Sequence, residues 1–247
     1  MSEKSNPIFK NIKYEDEYVE EVNTSSYFGI SIKTLVCLII TVLSGIGALF
    51  IPNVTALVVV LAIGGIGAFI AAFVGRNNAG AAMACSIIYS IGQGVSLGVV
   101  TALCELAYPG LAFSAILSTI TVFGVTLFFF STGLVRASGK LRKFVLISLV
   151  SIMVLSLIAL ICSLFGNFAI ADLFYGTGAI SILISAFVVF LGAFLLILDF
   201  DEAANIVEGN YPKKYEWVST LGLMISIIYI YIHVLELLIK IAASKRD

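Results

Sequence analysis

The chain has 247 residues, of which 60% are hydrophobic and 12% are charged, and its formal net charge at pH 7 is −1. Soluble domains carry about 25% charged and about 45–50% apolar residues. The composition therefore excludes an ordinary soluble globular domain, and the long apolar blocks indicate a membrane protein.

The first 29 residues form a polar segment of mixed charge. It contains no early apolar core and no small-residue cleavage site, so we expect no cleavable signal peptide and expect the first apolar span to act as an uncleaved signal. Its acidic stretch, residues 15–21, is typical of a flexible contact for a partner. We divide the chain into this segment (1–29), a transmembrane domain (30–243) and a short polar tail (244–247).

Seven apolar stretches are long enough to cross a membrane, because a span needs about 20 apolar residues. The sequence thus predicts an all-α integral membrane protein with a seven-helix bundle. The four prolines lie outside all seven stretches, as expected where lipid cannot replace a lost backbone hydrogen bond. The predicted spans are residues 32–51, 54–75, 80–104, 110–135, 144–166, 174–200 and 218–242.

Basic residues collect on alternate connections. One side of the membrane would carry most of them: Arg76, the basic residues of 136–143 and 213–214, and the lysines up to Lys33. The positive-inside rule makes this side cytoplasmic. The N-terminus is then expected in the cytoplasm. The basic residues expected on the opposite side are Lys240, Lys245 and Arg246.

Spans two and three are rich in small residues that allow helices to approach closely. Residues 94–98 form a GxxxG motif, which we interpret as tight helix packing. Gln93 is a polar residue near the middle of span three. The four cysteines lie in or at the ends of apolar runs, and we interpret them as small buried hydrophobic residues.

Two aspartates, Asp199 and Asp201, follow an apolar run at the expected inner end of span six. Our hypothesis is that one of them pairs with Arg76, Arg136 or Arg142 and closes an inner gate that responds to protonation or to a bound cation. The two carboxylates are also candidate calcium ligands. The alternative is an ordinary charged helix end in water.

Three more ionisable residues, Glu105, His233 and Glu236, fall at similar depth toward the expected outer side. His233 and Glu236 share one helix face at i,i+3. We expect an outer polar cluster that titrates near neutral pH, because carboxylates favour the imidazolium form of a neighbouring histidine. The alternative is that both glutamates extend to the outer interface.

An enzymatic function is not expected. The chain has a single histidine, so an HExxH zinc site is excluded, and it has no GxSxG motif. The two aspartates lie on one helix, whereas intramembrane aspartyl proteases place theirs on two.

Five motifs, spread from residue 6 to residue 217, carry a family resemblance. Together they resemble the bacterial YccA-like branch of the Bax inhibitor-1 family, and the last two are the most specific. The motifs are NPIFK (6–10), YPG (108–110), TGLVR (132–136) with KLR (140–142), LDFD (198–201) and PKKYEW (212–217).

The resemblance implies a seven-helix bundle with a central last helix, in a bacterial inner membrane, and a pH-sensitive calcium leak. It implies that Asp199 or Asp201 is the sixth-helix carboxylate, that Arg76 takes part in closure, and that a second aspartate lies near Ile225. Residues 221–231 contain no acid, so we expect an arginine to be the partner of the inner carboxylates. Relatives tend to carry Glu in place of Gln93 and a Glu–Arg pair in place of His233 and Glu236.

Two functions follow from these observations. The first is a membrane leak for cations, calcium first and protons second, with calcium as transported ion and no cofactor. The second is an interaction protein that modulates a membrane-bound protease through residues 1–29. Apart from such a protease the expected partner is the lipid bilayer, and no nucleic-acid partner is expected.

Overall fold

The computed structural model describes residues 24–51, 53–135, 137–165 and 168–245. Most of the N-terminal segment (residues 1–23), with the NPIFK motif and the acidic stretch 15–21, lies outside the described residues, as do Arg136 and Arg246. The described chain is helical, with one isolated β-bridge between Thr24 and Pro212. The helices are α1 (Tyr27–Ala48), α2 (Val54–Asn77), α3 (Ala82–Ala107), α4 (Leu111–Ser131), α5 (Gly139–Leu164), α6 (Ala169–Tyr175), α7 (Ala179–Glu208) and α8 (Lys214–Ser244).

Seven of these helices are long and apolar enough to cross a membrane, which confirms the predicted fold class. All except the short α6 qualify, so α7 is the sixth span and α8 the seventh. The buried share of α8 is 44%, the largest of the seven spans. Such burial is expected of a helix surrounded by others, whereas lipid-facing helices leave their apolar side chains exposed.

The sixth span differs most from its predicted bounds of 174–200. The chain leaves helical structure at residues 176–178, between α6 and α7, where two glycines flank a threonine. At its other end α7 continues to Glu208, because the residues after Asp201 are mostly good helix formers. Asp199 therefore lies nine residues before the end of α7, roughly 14 Å at 1.5 Å per residue.

Helix starts are set by short polar side chains. Ser26, Asn53 and Ser138 cap α1, α2 and α5, and each accepts a hydrogen bond from a backbone N–H of the first turn. With these caps α1 and α5 begin five residues earlier than hydropathy alone predicts, and α2 begins where it was predicted. For example, α5 begins at Gly139 rather than at residue 144, because Ser138 supplies the cap.

The chain divides into two compact units, which we describe separately. The first comprises the described residues up to Gly98 together with Glu202–Met224. Its helices approach at glycines, as the GxxxG motif predicts: a methyl group on Gly98 would lie 2.7 Å from the carbonyl carbon of Gly45 on α1. Gly64 of α2 and Gly92 of α3 meet in the same way.

The second unit comprises Val99–Asp201 and the described residues from Ile225 onward. Aromatic rings fill part of its interior, and the ring of Phe200 on α7 lies 5.6 Å from those of Phe123 and Phe130 on α4. Gly192 of α7 leaves room for Tyr229 and Ile230 of α8, because a methyl group there would lie 2.6 Å from Ile230. This close contact aligns α7 and α8 at the level of the polar residues described next.

Candidate functional site: polar residues within the spanning helices

Asp199 is a buried carboxylate inside a spanning helix, with 6% of its surface exposed. Ser226 of α8, itself buried, donates a hydrogen bond from its hydroxyl to Oδ2 of Asp199. Both residues belong to the second unit. A carboxylate within a membrane span is costly unless it is paired or hydrogen-bonded, so this contact identifies a polar site between α7 and α8.

Two ion pairs involve acidic residues near this end of α7, Asp201 and Glu202. Arg142 of α5 lies 3.9 Å from Oδ2 of Asp201, and both side chains are partly exposed. In the first unit, Arg76 of α2 donates to Oε2 of Glu202 over 2.8 Å. Glu202 was not among the predicted site residues. Exposed pairs of this kind stabilise a fold by about 0–1 kcal/mol each, so their main effect is to orient the helices.

His233 and Glu236 contact each other, as their spacing implies. Nδ1 of His233 lies 3.1 Å from Oε2 of Glu236, and the imidazole ring makes an edge-to-face contact with Tyr229, with centroids 4.4 Å apart. The other carboxylate oxygen of Glu236 accepts a hydrogen bond of 2.7 Å from Lys240. Glu236 therefore contacts both the His233 imidazole and the Lys240 ammonium.

Glu105, the third residue of the expected outer cluster, has a local role. Its carboxylate accepts hydrogen bonds from the backbone N–H groups of Gly110 (2.6 Å) and Ala112 (2.8 Å) at the start of α4. A carboxylate at a helix N-terminus satisfies N–H groups that lack partners inside the helix. Gln93 lies half-buried in α3.

The structure also identifies polar residues that the sequence did not single out. The resemblance implied an acid near Ile225. The side chain that contacts Asp199 from α8 is instead Ser226, one position later. Lys240 had been counted as a charge on the outer side, and it is buried. Glu216, at the start of α8, is buried too and forms an ion pair with Lys33. The sequence feature that could have identified Glu216 is a lone acid in the first turn of α8.

The positions of the His, Cys, Asp and Glu side chains bear on whether the chain can hold a metal ion. Within the described parts of the chain, no group of three or more His, Cys, Asp or Glu side chains is placed to hold a metal ion. Asp199 and Asp201, the candidate calcium ligands, are therefore without a third acidic ligand among these residues. A resident calcium ion takes six to eight oxygen ligands.

The comparisons with known proteins agree with the fold. A family model described as Bax inhibitor 1 like matches residues 6–243, which include all seven spans. No curated protein and no solved structure matches the chain.

Proposed function

Because the chain belongs to the Bax inhibitor 1 like family, we propose that it is a pH-sensitive cation leak of a bacterial inner membrane, of the YccA-like branch. Calcium is the first candidate ion and the proton the second. The observation that carries this proposal is Asp199, a carboxylate with 6% exposure inside a spanning helix. Ionisable residues inside membrane spans are rare, and they are candidates for a functional site by default.

The contact between Asp199 and Ser226 supplies a pH-sensitive element. An ionised carboxylate accepts the serine hydrogen bond strongly, whereas a protonated one has less acceptor strength and gains a donor of its own. Protonation of Asp199 therefore changes the bond that joins α7 to α8. It also removes the negative charge that attracts a cation.

The ion pair beside Asp199 fits a gate within the second unit. Asp201 faces Arg142 of α5, with 3.9 Å between the guanidinium and Oδ2 of Asp201. A cation that enters at Asp199 competes with Arg142 for the acidic side chain of Asp201. Release of Arg142 would loosen the contact between α5 and α7.

Calcium flux in proteoliposomes tests the proposal. Vesicles that contain the purified chain should release trapped calcium faster than protein-free vesicles, at a rate that changes with pH on either side of neutrality. Vesicles that leak no calcium and no protons at any pH would remove the proposal.

The alternative function is modulation of a membrane-bound protease through residues 1–29. One observation favours it: Ser25 donates from its backbone N–H to Tyr211 and from its hydroxyl to Pro212, which anchors the start of α1 to the α7–α8 connection. Thr24 and Ser25 thus lie beside a basic connection that contains Lys213 and Lys214. If the alternative holds, the chain has no transport activity of its own, and deletion of residues 1–22 should abolish a protease-related phenotype.

A further inference from the structure

Lys240 is a buried lysine, with 4% of its surface exposed, near the end of α8. Its ammonium donates to three oxygens from three helices of the second unit: the backbone carbonyl of Phe174 at the end of α6, the hydroxyl of Ser185 on α7 at 2.6 Å, and Oε1 of Glu236 at 2.7 Å. The ammonium has three N–H donors. All three are therefore satisfied inside the protein.

The carbonyl of Phe174 is available because the helix is interrupted there. At the end of a helix the last carbonyls lack intrahelical partners and carry partial negative charge. Residues 176–178 are not helical, and Ser181 of α7 also donates to the Phe174 carbonyl, over 2.9 Å. Interrupted membrane helices with exposed carbonyls are the usual setting for cation sites in transporters.

The three oxygens are of the kinds that coordinate a small monovalent cation. They comprise one carboxylate, one hydroxyl and one backbone carbonyl, and they converge on a single positive charge. A single carboxylate balances one positive charge, whereas calcium requires more oxygen ligands and usually more than one carboxylate. Glu236 is held in place from its other side by His233, at 3.1 Å.

We propose that the Phe174 carbonyl, Ser185 and Glu236 form a binding site for a monovalent inorganic cation, and that the ammonium of Lys240 occupies this site as a tethered cation. The Lys240 ammonium is then the cation that occupies the site in the parent chain. Removal of its charge leaves the Glu236 carboxylate, whose side chain is 31% exposed, without the ammonium beside the Phe174 carbonyl, and a free Na⁺ or K⁺ takes its place.

The test measures cation binding by the full-length chain in detergent, through its melting temperature. Lys240→Met removes the ammonium and keeps most of the side-chain volume. In NaCl or KCl, Lys240→Met should melt about 3–5 °C higher than in choline chloride of equal ionic strength, the shift expected for a cation at about ten times its dissociation constant. Choline is too large for the site. The parent chain should melt at the same temperature in all three salts.

The double variant Glu236→Gln with Lys240→Met is the matched control. It removes the charge that binds the cation, so its melting temperature should not distinguish the three salts. An equal melting temperature of Lys240→Met in all salts would overturn the proposal, as would an equal salt response of the double variant. If Lys240→Met fails to fold in every salt while the double variant folds, a free cation does not replace the ammonium and the proposal is wrong. Because the readout is binding, the result is independent of whether the chain leaks calcium.

Discussion

At the scale of single residues, Ser226 is the side chain that gives Asp199 its place inside the protein. The serine hydroxyl donates to the carboxylate from the neighbouring helix, and both residues are buried. Loss of one hydrogen bond to a buried carboxylate costs about 1–3 kcal/mol.

Ser226→Ala should therefore lower the free energy of unfolding by about 1–2 kcal/mol, since the serine bond to the Asp199 carboxylate is lost. Denaturant titration in detergent measures the change. Ser131→Ala is the control, because Ser131 is exposed and donates to the carbonyl of Phe128 within its own helix. A loss of stability no larger than that of the control would show that the Ser226 contact is not important.

The sequence indicated the polar residues in the spans but not their partners. Asp199 and His233 were conspicuous because charge is rare in an apolar run. Ser226 was not, because serine is common in membrane helices and only the packing of α7 on α8 makes this one significant. Lys240 was counted with the outer charges because its burial depends on oxygens from α6 and α7 that are distant in sequence.

At the scale of helices, glycines determine how α1 and α3 meet. The GxxxG spacing at residues 94–98 predicted a close contact, and the structure shows that Gly98 lies against the backbone of Gly45. Backbone atoms cannot move aside as a flexible side chain can, so an added methyl group forces the helices apart.

Gly98→Ala should destabilise the chain by about 1–3 kcal/mol through overpacking. Gly124→Ala is a matched control on α4, because a methyl group at Gly124 meets no atom within 4 Å. Thermal unfolding in detergent compares the two variants. If Gly98→Ala is as stable as Gly124→Ala, the close contact of α1 and α3 is incorrect.

The start of α8 is fixed by a second buried acid. Glu216 is 2% exposed, accepts a hydrogen bond of 2.7 Å from the backbone N–H of Ser26, and pairs with Lys33 of α1. Lys33 also lies 5.0 Å from the centre of the Trp217 ring, which adds a cation–π contact. The first helix is thereby attached to the last span near the PKKYEW motif.

Glu216→Ala should lower the free energy of unfolding by about 3 kcal/mol, because it leaves the partners of a buried ion pair without their acceptor. Glu208→Ala is the control, since Glu208 is exposed and its contact with Tyr27 is 3.4 Å long. Equal melting temperatures for the two variants would contradict the anchoring role of Glu216.

At the scale of the whole molecule, hydropathy was sufficient to predict the seven spans, because lipid requires long apolar helices. It was insufficient for the break before α7 and for the extension of α7 to Glu208. Glycines cause the break before α7, and helix-forming polar residues cause the extension to Glu208. Neither kind of residue changes a count of apolar residues. The burial of Lys240 also removes one of the three basic residues that disagreed with a cytoplasmic N-terminus, because the positive-inside rule concerns charges in connections.

Cysteine labelling tests the proposed orientation. In a chain whose four native cysteines are replaced by alanine, Asn53→Cys should react with a membrane-impermeant maleimide on intact cells. Asn78→Cys and Lys213→Cys should react only after the cells are permeabilised, because they lie on basic connections expected in the cytoplasm. The reverse pattern would place the N-terminus outside.

The central claim is that Asp199 makes a cation leak sensitive to pH, and calcium flux through Asp199→Asn tests it most directly. The asparagine keeps the shape and accepts the Ser226 hydrogen bond, but it cannot titrate. Glu208→Gln, an equivalent change on the exposed end of α7, is the control. The account predicts that flux through the parent chain and through Glu208→Gln varies with pH, whereas flux through Asp199→Asn does not. A pH profile of Asp199→Asn that is identical to that of the parent chain would contradict it.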